Sequence, residues 1–101
     1  ITEAQASNVT KCAGVSIAIH RADETRIVFS NPSSYEIRSI VFQADRGGGT
    51  ITPSDQILSP GEFGTVSWTR GTNTSVTGRG LCLQSVAVEG SCASGQACWI
   101  S

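Results

Sequence analysis

Methionine is absent from all 101 residues, and the chain starts at Ile1. That pairing suggests a start that has been removed, with a secretory signal as the simplest expectation and a shortened chain as its competitor. Positive charge is scarce and scattered. Lys11, Arg21, Arg26, Arg38, Arg46, Arg70 and Arg79 form no cluster, and the net charge is −1. No basic stripe can displace counterions from a phosphate backbone, which excludes a strong nucleic-acid binder. No apolar run reaches the roughly 18 residues that a membrane-spanning helix needs. Helical periodicity is also missing, beyond one turn near Thr2 to Val9.

Groups for catalysis are few. His20 is the only histidine, it lies beside Arg21, and no G-x-S-x-G motif accompanies it. Nucleophilic catalysis needs a base beside its nucleophile, so His20 reads as a solvent-facing strand residue. Zinc could draw on Cys82, Cys92, Cys98 and His20. Structural zinc knuckles place about two to four residues between cysteines, and the five between Cys92 and Cys98 fit poorly. The acids Glu3, Asp23, Glu24, Glu36, Asp45, Asp55, Glu62 and Glu89 lie mostly in turn-like segments, where carboxylates cap backbone or face water. Arg46-Gly47-Gly48-Gly49 has no following helix and no G-K-[ST], so it reads as a loop connection and not a phosphate cradle. No catalytic, cofactor-binding or metal-ligating residue is assigned.

What the chain does hold is an even set of cysteines: Cys12, Cys82, Cys92 and Cys98. In a chain this short, that number suggests two disulfides and an oxidising compartment. Hydrophobic residues make up 39% and charged residues 15%, which supports a packed core and argues against disorder. A length of 101 residues sets one domain, 1–101. Two N-glycosylation sequons, at Asn8 and Asn73, fit a secreted protein, while Pro32 blocks the third at Asn31.

Alternation with a period of two dominates the pattern. Val15 to His20 places Val15, Ile17 and Ile19 on one face. Arg26 to Ser30 turns Ile27 and Phe29 inward. Tyr35 to Ser39 alternates and then enters Ile40-Val41-Phe42, which reads as buried on both faces. Gly64 to Thr69 puts Val66 and Trp68 on one side. Leu81 to Val88 reads as one strand, with a bulge near Ser85 to reconcile its two apolar faces. Turn signals separate these runs at Asp23-Glu24, Asn31-Pro32-Ser33-Ser34, Arg46 to Gly49 and Ser59-Pro60-Gly61-Glu62. Short strands at such spacing predict an all-β sandwich or barrel. Trp68 and Trp99 read first as core and second as a sugar-stacking pair.

From Thr25 to Cys98 the chain resembles a thaumatin-like protein. The resemblance rests on Arg26-Ile27-Val28-Phe29-Ser30-Asn31, Ser34-Tyr35-Glu36-Ile37, Leu58 to Val66, Thr77-Gly78-Arg79-Gly80-Leu81-Cys82, and Ser91 to Cys98. It implies a thaumatin-like antiparallel β-sandwich stapled by two disulfides. It also implies Cys92 paired with Cys98 and Cys12 with Cys82, against a rival pairing of Cys82 with Cys92 and Cys12 with Cys98. Full members of that family are about twice this length and richer in cysteine. The segment that supplies most of their acidic cleft has no counterpart here, so cleft-based antifungal or glucan-degrading activity is not carried over. Short, cysteine-poor relatives resemble fungal secreted elicitors that provoke hypersensitive cell death in plants.

The expectation is therefore a secreted, extracellular, monomeric, non-enzymatic elicitor or effector that meets a host or target surface protein or glycan. Its contacts would lie on the loops Arg46 to Thr52, Ser59 to Gly64 and Arg70 to Arg79. Arg46, Arg70 and Arg79 are the candidate contact residues, because arginine grips carboxylates with two parallel hydrogen bonds. The alternatives are inhibition of a protease or xylanase through the braced segment Ser91 to Trp99, and carbohydrate binding through Trp68 or Trp99.

Overall fold

A computed structural model describes residues 10–46, 50–54 and 56–100. Seven strands carry the fold: β1 (Ala18–Ala22), β2 (Arg26–Ser30), β3 (Ile37–Ala44), β4 (Thr50–Ile51), β5 (Phe63–Ser67), β6 (Ser75–Cys82) and β7 (Val86–Ala93). They form two antiparallel sheets, ordered β1-β2-β5 and β4-β3-β6-β7. The sheets meet through Phe29 of β2 and Phe42 of β3, whose ring centres are 4.7 Å apart. Around that pair the core gathers Ile17, Ile27, Ile37, Ile40, Leu58, Val66, Trp68, Val76 and Val88. The all-β sandwich read from alternation is therefore the fold, and the disulfides are Cys12–Cys82 and Cys92–Cys98.

Three turns form where the residues demand them. Asp23 turns β1 into β2: its Oδ1 accepts from the main-chain N–H of Thr25 at 2.9 Å and of Arg26 at 2.8 Å. That is an Asx turn, a carboxylate standing in for a carbonyl. Pro60 and Gly61 occupy the middle of the next tight turn, closed by Glu62 N–H donating to the Ser59 carbonyl at 3.0 Å. Gly61 has φ of 77°, the positive value that a type II turn requires at its third position. Asn31 organises the end of β2 while fully buried. Its Nδ2 donates to the carbonyls of Tyr35 and Leu58, and its Oδ1 accepts from the N–H and hydroxyl of Ser33. Two stretches of chain, Ser33 to Tyr35 and Leu58, thus meet on one amide.

Several sequence expectations need correction. The first strand starts at Ala18 and not at Val15. Ile17 still reaches the core, but its N–H donates to Glu89 of β7 at 3.4 Å, so this stretch crosses towards the other sheet. Ile40-Val41-Phe42 is not buried on both faces: Val41 is half-exposed between two buried neighbours. Ile37 and Ile40 share the core face although three positions apart. Ser39 makes that feasible by bulging, with φ of 55°. Leu81 to Val88 is not one bulged strand. It is a hairpin, with β6 ending at Cys82 and β7 beginning at Val86. Leu83 and Gln84 take φ of 51° and 64°, and Ser85 N–H donates back to Cys82. Positive φ at both central residues is the type I′ pattern that matches strand twist. The helical turn expected over 2–9 and the glycines 47–49 lie outside the described residues.

Candidate recognition surface

Register decides which side chains share the outer face of the four-stranded sheet. Val41, Arg79 and Glu89 stand in one cross-strand row, and Gln43, Thr77 and Ser91 in the next. Arg38, Leu81 and Ala87 form a third row towards the hairpin. The same register puts Val76 with Cys92 and Cys82 with Val86 on the core side. Cys82 and Cys92 therefore anchor opposite ends of the β6–β7 ladder, one to Cys12 and the other to Cys98. Between the two anchors lies a stretch of about 20 Å at the usual strand rise. Its outward residues are held on a backbone that is braced at both ends.

The rim of this face is built from short polar contacts. Asp45 follows β3, and its carboxylate accepts from Thr74 N–H at 2.9 Å, Thr74 Oγ1 at 2.6 Å and Ser75 N–H at 3.2 Å. The hydroxyl and N–H of Thr74 hold its pKa down to about 2. Asn73 ties two loops together: its Oδ1 accepts from Arg46 N–H at 2.9 Å and its Nδ2 donates to the Arg70 carbonyl at 2.8 Å. Asn73 is half-buried, and its Nδ2 is the atom that would carry a glycan. Asn8, the other sequon, lies outside the described residues. Gln43, Ala44, Asp45, Ser75, Thr77 and Arg79 line a shallow, open depression along this rim.

The three candidate arginines separate sharply. The side chains of Arg46 and Arg79 are 60% and 68% exposed, beside Asp45 and Glu89 respectively. Arg70 is 11% exposed and points inward. Its Nη1 donates to the carbonyls of Ala22 and Ile100, and its guanidinium lies 5.1 Å from the centre of the Trp99 ring. Arg70 thus pins the last residues against β1, where Ala22 also bonds Cys98 and Ile100 through its main chain. The structure leaves Arg46 exposed beside Asp45 at the end of β3 and Arg79 exposed on the outer face of β6, and takes Arg70 into the fold.

The aromatic residues divide in the same way. Trp68 is buried, with its Nε1–H donating to the Asp23 carbonyl at 2.8 Å, and Trp99 meets it edge-on. Trp68 therefore offers no stacking face for a sugar. The exposed ring is Phe63, at 64%. It packs 4.9 Å from the ring of His20, whose Nε2 is 2.6 Å from the buried Ser30 hydroxyl. His20 faces solvent as expected, but the Ser30 and Phe63 contacts escaped sequence reading. A bulge between Ile19 and Arg21 aims it there, and no local residue pattern announces that bulge.

All four sulfurs are joined in disulfides, which leaves no thiolate for zinc or for attack on a substrate. Asp23 is held well below the ordinary carboxylate range by Thr25 N–H, the Arg21 side chain and Arg26 N–H, so its role is to fix a turn. No protein-family model, curated protein or solved structure matches this chain.

Proposed function

We propose that this chain is a secreted, non-enzymatic recognition domain, presented to a host or target surface. The observation that carries the reading is the doubly anchored β6–β7 ladder. Its outer rows offer Thr77, Arg79, Glu89 and Ser91 on a backbone that costs little to order on binding, because the fold has already ordered it. Arg46 and Asp45 extend the same polar rim. Disulfides of this kind support an extracellular setting.

The finer reading is a thaumatin-like fungal elicitor that triggers plant defence and hypersensitive cell death. It is supported by the sandwich, by the short Cys92–Cys98 ring and by the motif order from Arg26 to Cys98. Infiltration of the folded protein into leaves tests it. Cell death or a defence response at micromolar dose is the expected result, and its absence removes the elicitor reading. Reduced and alkylated protein should be inactive, because the recognised surface depends on the anchored ladder.

A further inference from the structure

A β-sandwich of this kind has four sheet edges, and three of them here are blunted. β1 is covered by the chain end: Ala22 N–H donates to the Cys98 carbonyl at 2.7 Å, and Ile100 N–H to the Ala22 carbonyl at 3.0 Å. β7 faces the stretch before β1 through the Ile17–Glu89 bond. β4 has two residues, too few to template another strand. β5 is different. It is five residues long and contains neither proline nor any charged side chain.

The phase of its ladder shows which backbone groups are left. Trp68 N–H donates to the Thr25 carbonyl, and Asn31 N–H to the Glu62 carbonyl, each between directly opposed residues. Even-numbered positions of β5 therefore face β2. The N–H and C=O groups of Phe63, Thr65 and Ser67 point away from it. Among the described residues, no hydrogen bond of the fold reaches them. All three side chains are exposed, Phe63 most of all.

We propose that this edge binds a second copy of the chain, β5 against β5, antiparallel about a two-fold axis at Thr65. That register is the one in which all three residues engage both donors and acceptors: Thr65 with Thr65, and Phe63 with Ser67 of the second copy. It sets Glu62 opposite Trp68 of the second copy, so no like charges meet. The two three-stranded sheets become one continuous six-stranded sheet. Five residues per copy bury less than the roughly 1,200 Å² of a standard interface, so association is weak and depends on concentration. The monomer expected from sequence then describes dilute solution only.

Sedimentation equilibrium over a wide concentration range tests the pairing. The weight-average mass should rise towards twice that of one chain. In the same range the amides of Phe63, Thr65 and Ser67 should gain exchange protection while those of Gly64 and Val66 stay unchanged. Thr65→Pro removes an N–H that β2 does not use and should hold the protein at the mass of one chain. Should that variant misfold, Thr65→Lys places two positive charges face to face and should do the same. A wild-type mass that never rises would overturn the proposal and leave the edge to a strand of another protein. Association that survives in either folded variant would overturn it equally.

Discussion

Gly90 lies directly beneath the main chain of Ile17: a Cβ at position 90 would stand 1.7 Å from the Ile17 carbonyl oxygen. The obstacle is backbone, held by the Ile17–Glu89 hydrogen bond, and it cannot swing aside as a side chain could. Gly90→Ala must therefore lift the segment that links the first sheet to β7. Overpacking of this kind costs about 1–3 kcal/mol, and this site belongs at the upper end because the clash is with main chain. Urea denaturation should show a lower midpoint with an intact Cys12–Cys82 bond.

The two disulfides should differ in what they contribute. Cys12–Cys82 closes a loop across 70 positions and Cys92–Cys98 one across 6. On the chain-entropy account, the long closure stabilises by about 4.4 kcal/mol and the short one by about 2.2 kcal/mol. Replacing both cysteines of one pair by alanine, in two separate variants, should reproduce that order in denaturation midpoints. Equal losses would show that native contacts around Trp99 and Ala22, and not chain entropy, dominate the effect of the short ring.

Acid should weaken the fold through two turns. Asp23 and Asp45 both titrate below the ordinary carboxylate value of 3.8, the first through Thr25 N–H and the second through Thr74. A carboxylate whose folded pKa is depressed contributes stability above its unfolded pKa. That contribution is lost as pH falls through the folded pKa. The denaturation midpoint should be level from neutrality to about pH 5, then fall between about pH 4 and pH 2. Asp23→Asn with Asp45→Asn should start less stable and show a shallower fall over that window.

Alternation made the strands visible because each strand has one wet face. Ile27 and Phe29 were turned inward by it, and Val66 with Trp68 fell on one side. The disulfide pairing came from resemblance and not from the strand pattern. What alternation could not show were places where the backbone departs from regular geometry without a glycine to mark it. Ser39 bulges at φ 55°, and Leu83 with Gln84 makes a hairpin turn that sequence habit assigns to Asn-Gly. The tertiary pairing of β6 with β7 holds Leu83 and Gln84 in conformations that they do not favour alone. The site was half visible for a related reason. The sequence reading put Arg70 and Arg79 on one loop, but Arg79 stands in the middle of β6 and reaches solvent, whereas Arg70 lies on the loop and returns to cap carbonyls. Asn73 was marked only as a sequon, although its amide joins the Arg46 and Arg70 loops.

That difference between Arg79 and Arg70 separates stability from recognition in one experiment. Arg70→Ala takes the side-chain donor from the Ile100 carbonyl, leaves the Ala22 carbonyl with only the Ile100 N–H, and removes the cation from the Trp99 face. It should cost about 1.5–3 kcal/mol, the worth of hydrogen bonds made by a charged donor. Arg79→Ala removes an exposed side chain whose nearest acid, Glu89, is equally exposed, and should leave the denaturation midpoint unchanged. In leaf infiltration the order should reverse. Arg79→Ala combined with Arg46→Ala should reduce the response at least tenfold in dose, whereas Arg70→Ala, assayed well below its melting temperature, should retain it. Full activity in the Arg46 and Arg79 double variant would move the recognised surface away from the outer face of the four-stranded sheet.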